Sequence, residues 1–228
     1  MTTLQRRLSP ATDALLLSGF AGSVLWAVIA VGAGAVRPGY DPVRHYVSQL
    51  ALGPGGWLQA LCFLLTGASM IAFAFGVRRV LAPGRGAAAA PVLLAAFGLG
   101  LVIAGIFPAD PGLNGYPPGT TVPPNSPTPD FQVHILSAVV VFCALPGACL
   151  VLARRFRRDP AWSGWALYSL ITGIIVWVMW AGSTILSGDG SAPIDAVAGL
   201  VQRVYLALTF GWTALLALRL HRVPVRSD

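Results

Sequence analysis

Six stretches of the 228-residue chain, 14–36, 57–77, 87–107, 131–153, 162–186 and 196–218, are apolar and almost free of charge. Each is long enough to cross a hydrocarbon layer of about 30 Å as a helix, which takes about 20 residues. Inside lipid the backbone must satisfy its own hydrogen bonds, so only helices and closed barrels span. The period-two alternation of barrel strands is absent. The chain therefore reads as all-α: a polytopic six-transmembrane-helix bundle. The first run is longer than a signal-peptide core and no clear cleavage site follows it, so it is expected to be a retained span. No internal repeat divides the sequence, and residues 1–228 read as a single six-helix transmembrane domain.

Charge then orients the bundle. Only 10% of the residues are charged and 56% are hydrophobic, whereas an ordinary soluble domain carries roughly 25% charged residues. A net charge of +7 often marks a nucleic-acid partner, but here the charges fall in short clusters between apolar runs, the pattern of membrane topology. No nucleic-acid partner is expected. All 15 basic residues are Arg and all 8 acidic residues are Asp, a bias that, with many Ala, Gly and Pro, suggests a GC-rich bacterial genome. With the N-terminus inside, twelve arginines from Arg6 and Arg7 to Arg222 and Arg226 face three aspartates, Asp13, Asp159 and Asp228. The other side then holds Arg37 and Arg44 against Asp41, Asp110, Asp130, Asp189 and Asp195. The positive-inside rule places both termini in the cytoplasm, in a bacterial plasma membrane. Cys62, Cys143 and Cys149 all lie in apolar runs and read as small core residues, not as a disulfide framework.

The connections on the outer side are longer and chemically varied, which makes that side the place to look for function. Segment 37–53 is punctuated as a short interfacial helix in the first outer loop, with Asp41 as N-cap, Pro42 in the first helical position and Gly53 as terminator. Val43, Tyr46, Val47 and Leu50 would share one face, while Arg44, His45 and Ser48 would lie on the other and could roof a pocket. Between the third and fourth spans, Phe107-Pro-Ala-Asp110 presents a carboxylate held between prolines. The proline-rich stretch after it can be neither helix nor ladder, so an extended capping loop is expected.

Arg203 is the most informative single residue. It sits seven residues past Ala196, roughly 10 Å along its helix at 1.5 Å per residue. A charge in the hydrocarbon costs about 2.5–3.5 kcal/mol even on insertion scales, so it must face the bundle and find a partner. Asp110 and Asp41 are the first candidates, with Gly199 leaving room one turn away for them or for a ligand anion. Gln202 is expected to point off that face. His134, with Ser137 one turn deeper, adds a polar stripe to the fourth span. Gly98, Gly100 and Gly105 in the third span permit close helix approach.

The run Tyr40-Asp-Pro to Ser48-Gln-Leu, the Phe107-Pro-Ala-Asp110 corner, His134 and Gly199-Leu-Val-Gln-Arg203 together resemble the bacterial membrane family called domain of unknown function 998. That resemblance covers nearly the whole chain and implies a six-span inner-membrane protein without an assigned biochemistry. Two functions of different class follow as expectations. The first is binding, sensing or helping to move a lipid or small anionic ligand through an outer-leaflet polar pocket of Arg203, Asp110, His134, Ser48, His45, Arg44 and Asp41, with membrane lipids as partners and no cofactor. The alternative is a membrane-embedded metal-dependent hydrolase of lipid-like amides or esters, similar in kind to the alkaline ceramidases, with His45, His134 and Asp110 as ligands. His221 follows the last span at the opposite end, so a three-His zinc shell cannot be assembled from this chain at the outer site.

Overall fold

A computed structural model describes residues 8–187 and 192–222. Arg6, Arg7, Asp189, Arg226 and Asp228, which enter the charge balance, lie outside the described residues. Six helices long and apolar enough to cross a membrane make up the fold: α1 (Pro10–Val36), α2 (Trp57–Leu81), α3 (Ala89–Ile106), α4 (Pro129–Phe156), α5 (Ser163–Leu186) and α6 (Ala198–His221). Their limits explain themselves locally. At α1, Pro10 stands in the first turn and the Ser9 side chain accepts the Thr12 N–H; at α4, Pro129 and Thr128 repeat the arrangement with Phe131. Several helices outrun their apolar stretches because hydropathy marks only the hydrocarbon. Thus α2 continues to Leu81 and takes Arg78 and Arg79 into its last turn, where cations meet the negative end of the helix dipole.

Each helix packs on the next, and α6 closes the ring on α1. Trp26 of α1 stacks on Phe210 of α6 at 4.4 Å between ring centroids, and Phe210 also reaches Phe97 of α3 at 5.8 Å. From α4, Phe142 meets Tyr205 edge-on and Trp180 face-on. The tightest approach joins α2 and α3. A Cβ on Gly67 would lie 2.5 Å from the Gly98 carbonyl oxygen, and one on Gly98 would lie 2.6 Å from that of Gly67. Any side chain there would force the two backbones apart, so the glycine contact expected of the third span is present. Leu16, Phe73, Phe97, Trp212 and Leu216 fill the interior, whereas Val28, Val31, Leu136, Leu167 and Val178 stand exposed on the perimeter, as apolar side chains facing lipid tails would.

The start of α1 and the end of α6 meet at one end of the bundle, where His221 Nδ1 lies 3.2 Å from Asp13 Oδ1. The helix-bearing loops 37–56 and 107–128 cover the opposite end, called here the capped end.

Candidate functional site

The first loop at the capped end does not form the helix its punctuation suggests. A five-residue 3-10 helix, Val47–Ala51, replaces the longer one, and residues 41–45 make turns instead. The Asp41 carboxylate does accept from the backbone of Val43, at 2.8 Å, but no helix follows it. The carbonyls that a helix would consume are given to α6. The Val43 and Arg44 carbonyls accept the N–H groups of Leu200 (2.8 Å) and Gly199 (3.2 Å), two of the donors that open a helix without partners of its own.

Arg203, in the second turn of α6, completes this joint. Its Nη1 donates to the carbonyls of Pro42 (2.7 Å), His45 (2.9 Å) and Gly199 (3.1 Å), and Nη2 donates to the Tyr40 hydroxyl. Tyr40 in turn shares its single proton between the His45 and Tyr46 carbonyls. Neither Asp110 nor Asp41 reaches the guanidinium, which corrects the carboxylate pairing expected from sequence. The space beside Gly199 is also filled: a Cβ there would stand 2.3 Å from the His45 carbonyl oxygen and 2.7 Å from that of Pro42. Gly199 is small because the loop backbone lies against it. Arg37, at the end of α1, holds the other end of the same loop by donating to the carbonyls of Leu50, Leu52 and Pro54.

Gln202 was expected to point away, yet it serves the same joint: its Oε1 accepts the Val47 N–H at 2.6 Å. The loop wraps far enough round the top of α6 to meet two adjacent positions. A glutamine beside an arginine in an otherwise apolar helix was the signal available for this role.

A second layer comes from the proline-rich loop. His45 is buried and receives the Asp41 N–H on Nδ1 at 2.9 Å, so Nδ1 is unprotonated and Nε2 carries the hydrogen that it donates to the Asn114 carbonyl at 3.1 Å. Burial holds its pKa below the ordinary 6.5, with the Asn114 contact opposing. Gln49 reaches the Leu113 carbonyl at 2.6 Å. Tyr116, also buried, packs edge-on against Tyr40 at 5.2 Å and beside His45 at 5.1 Å. This loop thus caps the first one, as expected, but its bonds come from a short 3-10 helix, Leu113–Gly115, where extended chain was expected.

Asp110 organises that stretch. Its carboxylate accepts from the Ser126 hydroxyl (2.9 Å), the Thr128 N–H (3.0 Å) and the Thr128 hydroxyl (2.6 Å). Burial pushes its pKa up, but these three donors outweigh it and leave the carboxyl below the usual 3.8. Since Thr128 also caps α4, Asp110 couples the loop to the start of that helix.

His134 lies inside the bundle below this layer, where its Nδ1 donates to the Phe107 carbonyl at 2.7 Å. With Ser48 and Gln202 it lines a cavity of about 50 Å³ otherwise walled by apolar side chains such as Phe63, Leu101 and Phe142. A water occupies about 30 Å³ in the liquid, so this space fits a water and no headgroup. The seven residues named from sequence therefore share one end of the bundle without sharing one cavity. Arg203, Asp41, Arg44 and His45 belong to the loop joint, Asp110 to the proline-rich loop, and His134 and Ser48 to the small cavity. His45, His134 and Asp110 do not come together as a ligand set, and among the described residues no three His, Cys or acidic side chains do.

A larger space reaches Arg203 from the side of the bundle. Between α1 and α6 runs a groove of about 400 Å³ lined by Trp26, Ala27, Ala30, Val31, Ala207 and Phe210, with Arg203 at its capped end. Its wall is almost wholly apolar, and the guanidinium is its only ionised group.

These features define a multi-pass helical membrane protein whose last span holds its first loop. A family model described as protein of unknown function (DUF998) matches residues 20–219, and the chain belongs to that family. The resemblance read from the Tyr40, Phe107, His134 and Gly199 motifs is thereby borne out. No curated protein and no solved structure matches the chain.

Proposed function

We propose that the protein binds, and so senses or helps to move, an anionic amphiphile whose chain lies in the α1/α6 groove and whose headgroup meets Arg203. The single observation that carries this reading is the state of that guanidinium. All its acceptors are neutral oxygens, so its positive charge stands uncompensated beside an apolar groove open to the perimeter. An unneutralised cation at such a depth favours an anion, and Arg suits the forked contact with a carboxylate or phosphate. The groove supplies the apolar complement, with a volume inside the range of about 300–1,000 Å³ common for ligand sites.

We further read the capped end as extracytoplasmic. The arginine-rich helix ends at the opposite side favour the cytoplasm under the positive-inside rule, and a bacterial plasma membrane follows from the same reading.

Native mass spectrometry of the full chain with oleate tests the reading, comparing wild type with Arg203→Ala and Ala27→Trp. Ala27 is exposed in the groove, and a tryptophan there fills the space without touching the loop joint. Wild type retains oleate, and both variants lose it. Retention unchanged in Ala27→Trp would overturn the reading, whatever Arg203→Ala does to the fold.

A further inference from the structure

The uncapped end carries a cavity of its own. It measures about 370 Å³ and lies among the ends of α2, α4 and α6, the α2–α3 connection and the turn before α5. Its floor is apolar: Val80, Leu81, Leu220 and the Phe156–Trp162 stack, whose rings lie 4.5 Å apart. Its rim carries three guanidinium groups, Arg85, Arg155 and Arg158, and one carboxylate, Asp159.

The polar groups of this rim are unequally committed. Asp159 accepts the Ala161 N–H at 2.9 Å and caps the turn it begins. Arg155 spends Nη1 on the Arg85 carbonyl at 2.9 Å, fixing the α2–α3 connection to α4. Arg85 and Arg158 make no side-chain hydrogen bond among the described residues, and both are exposed. Behind the rim, Arg219 lies over the Trp162 ring at 4.8 Å, and its buried Nε lacks a partner. Topology alone asks for positive charge at this end. It does not ask for a formed cavity with an aromatic floor, nor for arginines drawn from two separate segments to its rim. Helical spacing assigns the four arginines at the end of α4 to two sides: Arg155 and Arg158 turn to this cavity, and Arg154 and Arg157 line another beside α5.

We propose that this cavity binds a phosphate-bearing group, with Arg85, Arg155 and Arg158 on the phosphate oxygens and the Phe156–Trp162 stack beneath its apolar part. Guanidinium forks match phosphate geometry, and basic pockets between membrane helices suit such headgroups. A phospholipid headgroup and a soluble phosphate ester present the same chemistry here. The site is separate from the α1/α6 groove and stands without it.

The test uses the full chain carrying Ala27→Trp, so that the groove at the capped end is closed. In native mass spectrometry from mixed bilayers, phosphatidylglycerol is retained over phosphatidylcholine, and Arg85→Gln with Arg158→Gln lowers that preference on the order of tenfold. Arg79→Gln, exposed and outside the cavity, leaves it unchanged. Glycerol 3-phosphate is then added: displacement of the lipid assigns the site to soluble phosphate esters, and persistence assigns it to the lipid. Equal retention of the two lipids with no binding of glycerol 3-phosphate overturns the proposal, as does a preference that survives the double substitution. Because neither Arg85 nor Arg158 holds the fold through its side chain, the unfolding midpoint of the double variant stays at the wild-type value and separates lost binding from lost structure.

Discussion

The two ends of the bundle differ in how far their arginines are drawn into holding loops. At the capped end Arg37 and Arg203 turn inward, and each gathers several backbone carbonyls of one loop. At the uncapped end Arg79, Arg85, Arg154, Arg157 and Arg158 stand exposed at helix ends or in the α2–α3 connection. A guanidinium that gathers carbonyls holds a loop in place, whatever else it meets; one that stands exposed without a side-chain bond holds no loop. The contrast teaches that charge count locates an end of a membrane protein, whereas the acceptors around each charge decide what it does there.

The strongest way to break that contrast is Arg203→Ala. It strands the Pro42 carbonyl and takes one donor each from the His45 carbonyl and the Tyr40 hydroxyl, and should cost about 3 kcal/mol of stability, since each hydrogen bond to a charged group is worth about 1.5–3 kcal/mol. Chemical unfolding in detergent measures it. Arg203→Lys should recover little of the loss, because one ammonium cannot serve acceptors on both arms of the fork.

The contrast sharpens with pH. His45 has a folded pKa below its unfolded value of 6.5, so the fold favours the neutral ring. Above 6.5 both states are neutral and the full contribution is present. As pH falls below 6.5 the unfolded chain takes up the proton first, and stability declines until the folded ring also protonates. A thermal unfolding series should show this decline in wild type and a shallower one in His45→Gln. The Asp110 contribution is lost in a separate window, below 3.8, where its carboxylate takes up a proton. The smallest effect belongs to Arg79→Gln, whose unfolding midpoint should match wild type; a shift as large as that of Arg203→Ala would erase the distinction between the two ends.

The six spans were legible because hydrocarbon demands long contiguous apolar runs, and no tertiary context can waive that demand. The tight α2/α3 contact was half visible, as Gly98 in an apolar span, though its partner Gly67 was not singled out. At the capped end the need of Arg203 for partners was legible and the pairing was not. Arg203 announced that it needed partners, but those partners are main-chain carbonyls, which every residue possesses and no sequence marks. Asp41 and Pro42 spelled a helix start by local rules, and the N-terminus of α6, more than 150 positions away, took the carbonyls such a helix would have needed. Asp110 was singled out for its rigid setting, but its acceptor role towards Ser126 and Thr128 depended on a loop reversal that prolines alone do not specify.

The joint between α6 and the first loop has a consequence for how the protein is made. Its two halves emerge from the ribosome far apart in time, since Arg203 follows His45 by 158 positions. Five spans must be delivered to the membrane before the donors that shape the first loop exist. Until then the carbonyls of residues 42–45 lie where water can serve them, so waiting costs little. The arrival of the last helix both completes the ring and sets its earliest loop, which makes that loop a reporter of finished assembly.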